Sequence, residues 1–167
     1  MTTVNLGGNA VSVNGELPKV GQSAPDFKLT NGDLADVSLG DFSGKKKLLS
    51  IFPSVDTATC ALSTKKFNDY AKQHADTVML MISADLPFAQ GRFCGDEGLE
   101  NVHTLSMMRD KNFAKDYGVL LQDGPLAGVT ARAIVVLDGD NKVLHTELVG
   151  EIGDEPDYES ALAALAK

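Results

Sequence analysis

Apolar positions first alternate, then cluster into short runs, then recur with helical spacing. Val4 and Leu6 precede Gly7-Gly8-Asn9, and Val11 and Val13 follow, which predicts a small β-hairpin about a tight turn. Ser23-Ala24-Pro25 opens a second extended stretch through Phe27 and Leu29, with another strand near Val37. Leu48 to Phe52 is an apolar run of strand length that stops at Pro53. From Thr57 to about His74 the spacing turns helical, with Phe67, Tyr70 and Ala71 on one side.

Thr77 to Ser83 reads as a second buried strand, and a helix should follow from about Leu86 to Cys94. A short strand is expected near Val102 to Leu105, then a helix from Asp110 to Tyr117 that stops at Gly118. Ala133 to Leu137, the Asp138-Gly139-Asp140-Asn141 turn and Val143 to Val149 make an antiparallel hairpin. The chain closes with a helix, Tyr158 to Leu165, introduced by Pro156 and acidic residues. Buried strands alternating with helices, then a hairpin and a last helix, predict a thioredoxin-like α/β fold with an N-terminal β-hairpin extension, as one domain over residues 1–167.

Composition sharpens this only in part. With 43% hydrophobic and 23% charged residues the chain has the make-up of a folded domain, and its net charge of −8 argues against nucleic acid or an anionic membrane as a partner. Met1 to Pro18 carries neither a basic leader nor a continuous apolar stretch, so a cytoplasmic protein is the expectation. Two cysteines in such a setting point to reactivity or metal binding rather than a structural staple. Metal is the weaker choice. There is no CxxC pair, and His74, His103 and His145 lack ligand spacing.

The candidate chemistry lies where the central strand meets its helix. Asp56 or Thr57 suits the N-cap, which puts Cys60 in the first helical turn, where unpaired N–H groups and the helix dipole favour a thiolate. A thiol of pKa ~8.5 is about 3% ionised at pH 7, and one near ~6 is about 90% ionised. Thr57 can bring its hydroxyl to the same side as Cys60, to bond the sulfur or an approaching oxygen. Cys60 also shares a face with Ser63, Phe67 and Tyr70, so spacing alone fits an inert, buried small hydrophobe equally well.

Pro53, Thr57 and Cys60, as P-x-x-x-T-x-x-C, resemble the active-site signature of the peroxiredoxins. The resemblance runs through IFPSVDTATC, ISADLPFAQGRFCGDEGLENV, DGPLAGVTARAIVVLD and EIGDEPDYESALAAL, and within the family it is strongest to the bacterial thiol peroxidase group, which is of the atypical two-cysteine kind. It implies that Cys60 is the peroxidatic cysteine, Cys94 the resolving cysteine with which it forms an intramolecular disulfide, and Thr57 a peroxide-binding hydroxyl. It further implies that Pro53 shields the sulfur and that Arg132 is the active-site arginine. The segment before that arginine, Gly128-Val129-Thr130, carries a threonine where an apolar residue is expected. The resemblance also implies hydrogen peroxide and alkyl hydroperoxides as substrates, a thioredoxin-type reductant, a homodimer and no cofactor.

A dithiol oxidoreductase fits less well, because PSVDTATC lacks the vicinal C-x-x-C pair. A redox sensor would use the same two cysteines and turn over slowly. Gly95, directly after Cys94, is expected to leave a frayed helix end. Lys45-Lys46-Lys47 is expected to be a solvated edge, and Met79, Met81, Met107 and Met108 to fill core space.

Overall fold

The structure is a computed structural model that describes residues 2–167. Thr3–Leu6 (β1) and Asn9–Ser12 (β2) pair antiparallel, Leu6 opposite Asn9, with Gly7 and Gly8 at φ of 59° and 84°. Positive φ at both turn residues matches the right-handed twist of the flanking strands, and glycine adopts it without strain. The hairpin is tied to the body of the protein. The Glu151 carboxylate accepts hydrogen bonds from the Gly7 and Gly8 amides at 3.1 and 2.8 Å, and the Asn5 amide donates to the Gly150 carbonyl at 2.7 Å. Val4, Val11 and Val13 pack with Leu121, Ala131 and Ile152 in a small core of their own.

The remaining strands are Leu29–Thr30 (β3), Asp36–Val37 (β4), Lys46–Ile51 (β5), Thr77–Ser83 (β6), His103–Ser106 (β7), Ala133–Leu137 (β8) and Val143–Leu148 (β9). They form a seven-stranded sheet in the order β4-β3-β7-β6-β5-β8-β9. β5, β6 and β7 run parallel, whereas β8 pairs antiparallel with β5 and β9 antiparallel with β8. The helices are Ala58–Gln73 (α1), Pro87–Glu97 (α2), Asn112–Asp116 (α3) and Tyr158–Leu165 (α4), so the predicted thioredoxin-like α/β plan with its hairpin is present.

Alternation along the central strands divides the interior into two cores. Leu49 and Ile51 of β5 join Leu80, Ile82 and Val135 on the face that receives Phe27, Phe113 and Tyr117. Leu48 joins Met79, Met81, Ile134 and Val136 on the other face, which Phe67 of α1, Phe93 of α2 and Leu165 of α4 cover. α4 is capped by Asp157, whose side chain accepts the Ser160 amide at 3.2 Å, and buries Ala161, Ala164 and Leu165. Among the described residues no helix is long and apolar enough to cross a membrane.

Two expectations need correction. β5 begins at Lys46, and Lys47 is buried rather than solvated. Lys47 shares the face of Leu49 and Ile51, and its ammonium reaches back to donate to the Lys45 carbonyl at 2.9 Å. Burial lowers its pKa, with Asp138 and Asp140 acting in the opposite direction. The second correction concerns α2, which runs through Gly95 to Glu97 and ends at Gly98, whose φ is 68°. Cys94 therefore sits inside the last turn, its carbonyl accepting the Leu99 amide at 2.9 Å, not on a frayed end.

Candidate active site

β5 and β6 are parallel neighbours, so the loops leaving their C-terminal ends lie side by side, where sites gather in α/β folds. The loop after β5 holds Pro53, Ser54 and Thr57, and α1 starts directly behind it with Thr57 as N-cap. Cys60 is thus the third residue of the helix, in its first turn. Arg132 arrives from the far side, immediately ahead of β8, the antiparallel neighbour of β5.

Arg132 is only 4% exposed, and its position is set by Nε donating to the Ile152 carbonyl at 2.8 Å. Its Nη2 points at the Thr57 hydroxyl at 3.5 Å, while that hydroxyl donates to the Ser54 carbonyl at 3.0 Å. Burial draws the Arg132 pKa down, and the neighbouring Cys60 and Tyr158 draw it up. Pro53, Thr57 and Arg132 line a cavity of about 240 Å³ together with Leu6, Leu126, Val129 and Ile152. The cavity therefore sets one guanidinium and the hydroxyl residues Ser54, Thr57 and Thr59 among apolar side chains.

Cys60 does not line this cavity. Cys60 is 1% exposed and packs in the core of Phe52, Val55, Phe67, Met79 and Phe93, with Sγ 3.7 Å from the Thr64 hydroxyl. Burial pushes its pKa up to about 12, against the downward pull of the Thr64 hydrogen bond and the Arg132 charge. The expected stabilisation of a thiolate by the helix start is thus outweighed by desolvation in this conformation. Nor does the Thr57 hydroxyl bond the sulfur; it is committed to Ser54. Cys94 is half-buried against the same core, burial raises its pKa, and both cysteines are free thiols.

Comparison with known proteins identifies the family. The redoxin family profile matches residues 19–162. The chain is 56% identical over 165 residues to the thiol peroxidase of Mycobacterium bovis, covering 99% of each. The chain belongs to the thiol peroxidases of the redoxin family. Among solved structures, a peroxiredoxin-like protein from Aquifex aeolicus superimposes with a TM-score of 0.92 at 37% identity, over 99% of this chain and 96% of that one. A thiol peroxidase from Chromobacterium violaceum gives 0.90 at 29% identity, over 98% and 95%.

In this thiol peroxidase, Pro53, Thr57 and Arg132 meet at one cavity, while Cys60 and Cys94 pack in one and the same core. Several participants escaped sequence reasoning. Asp85 follows β6 and accepts hydrogen bonds from Ser54 Oγ and the Val55 amide, both at 2.8 Å. Its place at the end of a parallel strand was the available signal. Thr130, the unexpected threonine, is fully buried and donates to the Phe52 carbonyl at 2.9 Å, which anchors the residue ahead of Pro53. Leu6 and Ile152 line the cavity, and no local pattern marks either residue.

Proposed function

We propose that this enzyme reduces hydrogen peroxide and alkyl hydroperoxides through Cys60, resolves the product with Cys94, and is reset by a thioredoxin-type dithiol. The observation that carries this reading is the cavity in which a buried guanidinium and the Thr57 hydroxyl stand among apolar side chains beside the Cys60 helix. In the first step the Cys60 sulfur attacks one peroxide oxygen, the O–O bond breaks, and water or alcohol leaves with a proton. Arg132 holds charge on the leaving oxygen without giving up a proton of its own. Thr57 orients the peroxide, and Pro53 keeps bulk water from the sulfur.

Cys60 then carries a sulfenic acid, which the Cys94 thiol condenses to a disulfide with loss of water. A dithiol reductant exchanges with that disulfide and restores both thiols. For the first step the Cys60 side chain turns from Thr64 toward the Thr57 and Arg132 side. There the helix-start N–H groups and the guanidinium act on it and the apolar core does not. We place this chemistry in one domain, in a cytoplasmic homodimer, with no cofactor.

Peroxide consumption with a thioredoxin reducing system tests the assignment. Cys60→Ser is expected to abolish reduction, whereas Cys94→Ser keeps one stoichiometric reaction and loses turnover. The opposite pattern would exchange the two roles.

A further inference from the structure

We propose that Asp85 is a positioning residue for the peroxide step: its carboxylate clamps the Ser54–Val55 turn ahead of Cys60 onto the segment that leads into the Cys94 helix. The inference rests on the cysteine roles proposed above. Asp85 Oδ1 accepts from Ser54 Oγ at 2.8 Å, while Oδ2 accepts from the Val55 amide at 2.8 Å and from Ser83 Oγ at 2.6 Å. Bonds to an ionised carboxylate are about twice as strong as those between neutral groups.

The clamp reaches both cysteines. On one side, Ser54 passes the constraint on, since its carbonyl accepts the Thr57 hydroxyl at 3.0 Å and its hydroxyl accepts the Asp56 amide at 3.1 Å. On the other, Ser83 Oγ accepts from Gln90 Nε2 at 3.1 Å, and that same amide donates to the Leu105 carbonyl at 2.9 Å. Gln90 is fully buried and lies one helical turn before Cys94 on α2. A second link, Arg92 to Asp56 at 2.9 Å, is more than half exposed at both ends and therefore weak. Asp85 is the stronger connection between the two segments.

A disulfide needs the two Cα atoms within about 4.4–6.8 Å, and on this proposal the two segments leave their reduced packing to form it. Holding the clamp favours the peroxide step, and releasing it favours resolution. The electrostatics fix the sign of a test. The Asp85 charge raises the Cys60 pKa, so it opposes the thiolate. If Asp85 acted only by charge, neutralising it would speed the peroxide step at neutral pH.

The test is a single turnover with hydrogen peroxide, followed by rapid quench and mass spectrometry, since the chain has no tryptophan to report by fluorescence. With Asp85→Asn the peroxide step is expected to slow about tenfold, even though the Cys60 pKa falls, while the sulfenic acid closes to the disulfide faster than in wild type. Ser54→Ala, which removes one bond of the clamp, should move both steps in the same directions by less, and it serves if the Asp85 variant does not fold. An unchanged or faster peroxide step, or a parallel slowing of both steps, overturns the clamp. Cys60→Ser is run alongside. Peroxide reduction persisting in that variant would instead overturn the cysteine assignment.

Discussion

The buried Cys60 thiol predicts that the protein loses stability in alkali and that one substitution removes part of this loss. Burial raises the folded-state pKa from an ordinary 9.0 to about 12. Between those values the unfolded chain has released the proton and the folded chain still holds it, so stability falls as pH rises. At pH 7 both states are protonated and Cys60 contributes nothing to the slope. By pH 10 the unfolded state gains RT ln(1 + 10), about 1.4 kcal/mol, which the folded state does not share. With an m-value of about 2 kcal/mol/M in urea, that lowers the midpoint by about 0.7 M. Tyr158, raised to about 12, acts in the same direction, and the lowered pKa of Lys47 acts in the other, so wild type alone does not isolate Cys60. Cys60→Ser does. Serine does not titrate, and Thr64 remains beside it as a hydrogen-bond partner. Urea unfolding at pH 7 and pH 10, on protein kept reduced, should show a midpoint drop smaller in the variant by about 0.7 M. Equal drops in the two proteins would mean that the sulfur is not held in the core.

Thr130→Val keeps the shape of a fully buried residue but leaves the Phe52 carbonyl without its hydroxyl donor. A loss of about 1–3 kcal/mol, or about 2–10 °C in Tm, is expected by calorimetry, and Thr130→Ser should recover most of it. Arg132→Met should raise the Cys60 pKa, since the guanidinium pulls it down, and slow the peroxide step about 100-fold or more through lost charge stabilisation. Thiol titration together with stopped-flow mixing checks both parts, and an unmoved pKa would take Arg132 out of the site.

Much of the architecture was written locally. The Gly7-Gly8 turn, the apolar run that stops at Pro53, and the helical spacing from Thr57 to His74 each depend on backbone preferences and on periods of two or 3.6 residues. Such features act over a few residues, and the observed elements match them to within a few positions. The gathering of Pro53, Thr57 and Arg132 at one cavity was legible only because their motif resembles a known one.

Tertiary packing decided the rest. A first-turn position placed Cys60 near helix-start N–H groups, but its burial followed from Phe52 in the loop after β5, Phe67 of α1, Met79 of β6 and Phe93 of α2. Lys47 is buried because a strand face closes over it, although three consecutive lysines read locally as solvated. Asp85 became a neighbour of Ser54 through the parallel pairing of β5 and β6. Leu6 reached the cavity of Arg132 through a hairpin held by Glu151 at the other end of the chain. Burial, desolvation and hydrogen bonding between distant residues depend on which surfaces meet in space, and a linear pattern carries only the local share of that information.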